Sequence, residues 1–230
     1  MFSEEFFKNG ATLCFDKPLH WTSFDLVNKV RWLIRKAYNI KKIKVGHAGT
    51  LDPLASGLVI VCTGKSTKTI PSLMNQHKTY VGEITLGATT PSYDLETEID
   101  QTYPTAHISQ DLILRTSASF TGKIKQKPPI FSALKKDGVR LYEYARKGEK
   151  VDIPSREIII EKFDITSQNL PKLEFKVTCS KGTYIRSLAH DFGQALNSGA
   201  HLSALKRTAV GDFKLSREAY TIEEFEQLLK

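Results

Sequence analysis

Twelve residues, Gly46-His47-Ala48-Gly49-Thr50-Leu51-Asp52-Pro53-Leu54-Ala55-Ser56-Gly57, gather one carboxylate, one imidazole and three glycines between two apolar stretches. Such a loop is built to present Asp52, and a carboxylate can form and later surrender a covalent bond as a nucleophile. The glycines release the backbone from its usual steric limits, while Pro53 confines Asp52 to the β or polyproline region, so the chain itself sets the carboxylate's direction. The same pair is also a good helix start, with Asp52 as N-cap and Pro53 at the first helical position. On these two residues alone both readings stand.

Other chemistry is easier to exclude. Gly64-Lys65-Ser66 imitates the end of a phosphate-binding loop, but the glycine that motif needs at position 59 is Val59, inside an apolar run. The six histidines form no HExxH pair and no Cys/His cluster at zinc spacing, so no metal is expected. Cys14, Cys62 and Cys179 lie in apolar contexts without CxxC spacing, and an odd count cannot close a disulfide framework. They read as reduced core thiols.

The charge balance points to a polyanionic partner. Lys and Arg number 33 against 25 Asp and Glu, a net charge of +8. Lys29, Arg31, Arg35, Lys36, Lys41, Lys42 and Lys44 follow one another with no acidic residue from Leu26 to Val45, just ahead of the Asp52 loop. That run is either a solvated face or a phosphate-contacting surface. The first ten residues lack a basic start and an apolar core, and the longest aliphatic run, Leu58 to Val61, is far too short to cross a bilayer. A cytoplasmic protein is expected.

Around these residues the pattern predicts a strand over Ala11 to Phe15 and a helix capped by Thr22 or Ser23, with Val27, Val30, Ile34 and Ala37 at helical spacing. Ile43 to Val45 and Leu58 to Cys62 read as strands, which makes the Asp52 loop a connection between them. Further on come a strand over Lys78 to Leu86, a helix from Ser109 through Ser119, and a tight hairpin at Asp137-Gly138. Glu157 to Thr166 and Leu173 to Cys179 form a second hairpin about a Gln168-Asn169-Leu170-Pro171 turn. Ile185, Leu188, Ala189, Phe192 and Leu196 mark an amphipathic helix. A strand around Leu205 to Phe213 and a short helix capped by Thr221, with Glu224 at the capping-box position, complete the chain. Hairpins outnumber βαβ units, so the expected class is α+β with a mostly antiparallel sheet. A chain of 230 residues can bury one large core, and residues 1–230 are expected to be one catalytic domain.

The string GHAGTLDPLASGLVIVCTGKSTK resembles, almost letter for letter, the active-site segment of the TruB family of tRNA pseudouridine synthases. Four more segments resemble family motifs in the same order: DKPLHWTSFDLVNKVR (Asp16 to Arg31), KTYVGEITLGATTPSYD (Lys78 to Asp94), QKPPIFSALKKDGVRLYEYARKG (Gln126 to Gly148) and CSKGTYIRSLAHDFGQAL (Cys179 to Leu196). Five long matches in order are far more specific than any one short motif. The resemblance implies the pseudouridine synthase fold, a long mixed sheet flanked by helices and loops around a central RNA-binding cleft. It also implies isomerisation of uridine-55 in the tRNA T-loop, with base flipping and no cofactor. Many family members continue into a PUA-type RNA-binding domain, whereas this sequence stops at Lys230, so a short form is expected.

Site residues follow from the resemblance residue by residue. Asp52 matches the nucleophile, and Arg186 matches the arginine that pairs with it. Tyr80 matches the aromatic that stacks on the flipped base, Tyr184 a second tyrosine lining the pocket, and Leu205 the pocket leucine. His47 matches the histidine that fills the space the base vacates. Lys17-Pro18 resembles the opening motif and reads as architectural. The expected partner is the T stem-loop of tRNA, bound by a monomer. The competing readings are a noncatalytic RNA-binding protein and a related synthase that modifies rRNA.

Overall fold

The computed structural model describes residues 2–149, 151–216 and 219–229. The chain opens with α1 (Glu4–Asn9), β1 (Thr12–Lys17), α2 (Ser23–Ala37), β2 (Val45–His47) and β3 (Ala55–Thr63), then a 3-10 turn over Gly64–Thr69, α3 (Ile70–Met74) and β4 (Lys78–Leu86). It continues through β5 (Ala88–Thr89), β6 (Gln101–Thr102), α4 (Gln110–Ser119), β7 (Gly122–Gln126), β8 (Lys135–Lys136), β9 (Val139–Arg140), α5 (Leu141–Arg146), β10 (Arg156–Asn169), β11 (Lys172–Cys179) and α6 (Ile185–Ala195). It closes with β12 (Ala200–Val210), β13 (Phe213–Lys214) and α7 (Ile222–Leu228). These elements fall into two compact units: Met1–Tyr80 with Leu205–Lys230, and Val81–Ala204. Strands β4 and β12 contribute residues to both.

The first unit is organised about β3. Leu58, Val59, Ile60, Val61 and Cys62 are wholly buried, as a strand covered on both faces must be, which explains their unbroken apolar run. Along β3, β1 pairs antiparallel with Phe15 opposite Val59, and β2 pairs antiparallel with His47 opposite Val61. Residues 205–207 of β12 pair with β3 in parallel, Leu205 opposite Ala55 and Arg207 opposite Gly57. Helix α2 turns Leu26, Val27, Val30, Leu33 and Ile34 inward, the spacing its sequence demands. Its start is a capping box: Thr22 Oγ1 accepts from the Asp25 N–H at 3.0 Å and Asp25 Oδ2 accepts from the Thr22 N–H at 2.9 Å. A box of the same kind joins Thr221 to Glu224 at the start of α7.

In the second unit β10 and β11 form a long antiparallel hairpin, and β7 adds to the far side of β10. Phe163 meets Phe192 of α6 edge to face at 5.6 Å, and Phe120 meets Phe192 at 6.0 Å, closing the core beneath that helix. Asp137 and Gly138 take φ values of 52° and 82°, the pair of positive angles that a two-residue hairpin turn requires.

Several elements differ from expectation. β12 begins at Ala200, five residues ahead of the expected Leu205, because its early residues Ala200, His201 and Leu202 are all buried and so show no alternation. Helices α1, α3 and α5 have six, five and six residues, too few turns for an apolar period to appear. Gly64, in the imitation phosphate loop, packs against α1. With φ at 49°, it sits so close to α1 that an added Cβ would lie 2.2 Å from the Lys8 carbonyl oxygen, and its N–H is given to Lys44 O at 2.9 Å. The three cysteines are free thiols. Among the described residues no helix is long and apolar enough to cross a membrane.

Candidate active site

Asp52 lies on the connection between β2 and β3, and no helix follows Pro53. Instead the Ala55 N–H donates to Asp52 O at 3.1 Å, a turn with Asp first and Pro second, the order that such turns favour. The half-buried Asp52 therefore stands at the corner of a tight turn whose neighbours are pinned. Just before it, Ser23 at the start of α2 holds Leu51 twice: its Oγ accepts from the Leu51 N–H at 2.8 Å and donates to Leu51 O at 3.2 Å. Just after it, Pro53 O accepts from the His20 N–H at 2.7 Å. Ala48 N–H, at the other end of the loop, donates to Ile60 O at 2.9 Å.

Beneath the loop lie two buried cations. Lys17 is wholly buried, with Nζ donating to Pro18 O at 2.9 Å and Trp21 O at 2.6 Å. Burial pushes its pKa down to about 8, against the pull of the Asp52 carboxylate. Arg207, at 1 % exposure, donates from Nε to Leu58 O at 2.7 Å, from Nη1 to Thr50 O at 3.3 Å and from Nη2 to Gly49 O at 3.1 Å. Gly57 permits this approach: a Cβ there would meet the Arg207 carbonyl oxygen at 2.3 Å. His47 is half-buried, and burial lowers its pKa below the ordinary imidazole value. Leu205 is half-buried beside Ala55, and Tyr80 is buried at the end of the first unit's part of β4. His47, Asp52, Tyr80 and Leu205 thus belong to one unit.

Tyr184 and Arg186 belong to the other. Tyr184 caps α6, and the buried Gln126 side chain grips its backbone, accepting from the Tyr184 N–H at 2.8 Å and donating to its carbonyl at 3.0 Å. The Arg156 guanidinium lies 4.7 Å from the Tyr184 ring centroid. Arg186, buried in the first turn of α6, has Nε 3.5 Å from Asp94 Oδ2 and donates from Nη1 to Ser92 O at 3.3 Å. Asp94 is itself preset, since Thr90 Oγ1 and Ser92 Oγ donate to its carbonyl and the Glu96 N–H donates to its Oδ1. Asp94 and Arg207 escaped sequence reasoning as site residues. Asp94 does close the segment Lys78 to Asp94, and its place as the first carboxylate after the Thr/Ser-rich stretch Thr89 to Ser92 is the signal that could have marked it.

The basic run divides in the structure. Arg31 donates to Asn28 Oδ1 and Val45 O, and Arg35 to Ile40 O, so these two tie the segment to itself. Lys36, Lys41, Lys42 and Lys44 are exposed. Among the described residues no group of three or more His, Cys, Asp or Glu is placed to hold a metal ion.

Comparison with known proteins then decides the family. Residues 35–185 match the TruB family pseudouridylate synthase N-terminal domain, and residues 186–230 match the tRNA pseudouridylate synthase B C-terminal domain. The chain belongs to the TruB family. It is 58% identical over 231 residues to a protein of Flavobacterium johnsoniae named tRNA pseudouridine synthase B, covering 100% of both, and 54% identical to the protein of that name from Phocaeicola vulgatus, covering 97% of this chain and 94% of the relative. Family membership makes it a pseudouridine synthase and hence an isomerase. The fold agrees: a chain in the crystal structure of a Cbf5-Nop10-Gar1 complex is similar with a TM-score of 0.73 and 30% identity. That match covers 98% of this chain and 56% of the other. A chain in a structure of an H/ACA RNP bound to a substrate RNA containing 2'-deoxyuridine gives 0.69 and 27%, covering 96% of this chain and 53% of the other.

Proposed function

We propose that this TruB-family chain converts uridine-55 in the T-loop of cytoplasmic tRNA to pseudouridine, with Asp52 as nucleophile. The observation that carries the reading is the end-to-end likeness, at 58% identity, to a relative named tRNA pseudouridine synthase B. The reaction breaks the N1–C1′ bond, turns the base and joins C5 to C1′, while C5 gives up a proton and N1 gains one. Substrate and product hold the same atoms, so no oxidant, reductant or second substrate is consumed. Asp52 forms a transient covalent bond to the nucleoside, at the base C6 or the sugar C1′, and releases it when the new bond closes.

The target base lies inside a folded RNA loop, so it must leave its stack before any of this can occur. In this reading Tyr80 stacks on the extracted base, Tyr184 and Leu205 line its pocket, and His47, whose pKa burial lowers, fills the vacated space. A nucleophilic carboxylate must stay ionised while water is excluded, and Arg186 is assigned the cation that favours this state. Its match to the family motif is what gives it that role.

The test is pseudouridine mapping on an unmodified tRNA transcript incubated with the purified chain, alongside an isolated T stem-loop. One modified position, at uridine-55, is expected in the tRNA, with the stem-loop also modified and no guide RNA added. Asp52→Asn should abolish the product while tRNA affinity persists, since it removes the nucleophile and almost no volume. Turnover by Asp52→Asn, or product only when a guide RNA is supplied, would overturn the reading.

A further inference from the structure

We propose that Arg207 is a positioning residue for the reaction, holding the peptides that lead into Asp52. The inference rests on the reading of Asp52 as the nucleophile. A guanidinium has five N–H donors and a permanent charge, and one buried this deeply is ordinarily matched by a carboxylate. Arg207 instead directs its nitrogens onto three neutral backbone carbonyls, those of Gly49, Thr50 and Leu58. Two of the three sit two and three residues before Asp52. The Leu51 peptide between them and Asp52 is held by Ser23 from the opposite sequence direction. Three consecutive residues ahead of the nucleophile are therefore fixed by side chains from two distant elements, α2 and β12.

An apolar side chain at this place would fill the space but supply the Gly49, Thr50 and Leu58 carbonyls with no donor, and a buried acceptor left without one is costly. The planar fork does something an apolar side chain cannot. It fixes the orientation of several carbonyls at once, because its nitrogens lie in one rigid plane. Lysine, with a single ammonium on a flexible stem, cannot reproduce that geometry. The charge is also felt nearby: Lys17 and His47 are both less readily protonated because of it.

The test compares Arg207→Lys, Arg207→Gln and Phe225→Leu in the full chain. Phe225 is wholly buried in the aromatic cluster of α7 and serves as a stability control within the same unit. Three quantities are read: thermal midpoint, tRNA dissociation constant, and single-turnover rate at saturating tRNA. Small misplacement of a reacting group can cost about 100-fold in rate. Both Arg207 variants are expected to lose about that much relative to Phe225→Leu, with tRNA affinity within about threefold of the parent. A rate loss under about tenfold relative to the control, or one carried by weakened affinity, overturns the inference. If one variant fails to fold the other decides, and unfolding of both overturns a role confined to the loop. Asp52→Asn in the same assay separates the two readings. Turnover there removes the nucleophile itself, whereas its abolition beside near-native Arg207 variants removes only the positioning role.

Discussion

Arg186 Nε and Asp94 Oδ2 lie 3.5 Å apart, and both side chains are almost wholly out of solvent. Removing one partner of a buried pair costs up to about 3–5 kcal/mol. Asp94→Asn is expected to lose stability on that scale and to lose turnover with it. The double variant Asp94→Asn with Arg186→Met should regain much of the stability, because the buried cation has gone, while turnover stays lost. Denaturant midpoints and single-turnover rates check both halves. Restored turnover in the double variant would show that the pair serves the fold alone.

Ser23→Ala takes away one hydroxyl and strands two backbone groups of Leu51. Leaving a buried donor or acceptor unsatisfied costs about 1–3 kcal/mol. The substitution should lower the denaturant midpoint by that order and slow the single-turnover step, with tRNA affinity little changed. An unaltered midpoint would mean that water or the loop itself replaces the hydroxyl.

Lys17 makes a pH prediction whose direction follows from linkage. Its folded pKa is about 8 against an ordinary value of 10.5, so between these values the unfolded chain binds more protons than the folded one. The Lys17 contribution to stability therefore rises with pH across that window. Below about pH 8 the lysine is charged in both states and its burial penalty is fully felt. Lys17→Met should lack this rise, so the difference in unfolding free energy between parent and variant should change steadily from about pH 8 to about pH 10. A parallel pair of curves would place the Lys17 ammonium in a better-solvated state.

Replacing Lys41, Lys42 and Lys44 by Ala should weaken tRNA binding and flatten its logarithmic salt dependence by about one for each phosphate that is no longer neutralised. The chemical step at saturating tRNA should be nearly unchanged. Normal binding by the triple variant would make those lysines a solvated face.

Local signals in the sequence carried through where the physics is local. The cap of α2, expected at Thr22 or Ser23 and found at Thr22, Thr221 with Glu224, Ser109 ahead of α4 and the Asp137-Gly138 turn are each decided within a few residues, so a single stretch of chain suffices to read them. Contacts between distant segments were not readable in that way. Arg31 and Arg35 stand in a basic run that resembles a uniform phosphate surface, yet each is spent on a backbone carbonyl of its own unit, Val45 and Ile40. The role of Arg207 depends on β12 running parallel to β3, a pairing that neither strand's sequence announces. The candidate site divides similarly: motif resemblance named Asp52 and Arg186, while Asp94 and Ser23 emerge only from the geometry around them.

The parallel pairing of β12 with β3 has a bearing on how the protein is made. Leu58 and Arg207 are 149 residues apart, and residues 81–204 are translated between the two segments of the first unit. At roughly 5–20 residues per second, the Gly46 to Gly57 segment waits about 7–30 s after synthesis before Arg207 is added to the chain. Throughout that interval the nascent loop lacks the side chain that binds Gly49 and Thr50, whatever has already formed behind it. Maturation of the surroundings of Asp52 is thereby deferred until Arg207 has been added, and a ribosome stalled before that residue carries a chain in which Asp52 is present but not yet fastened.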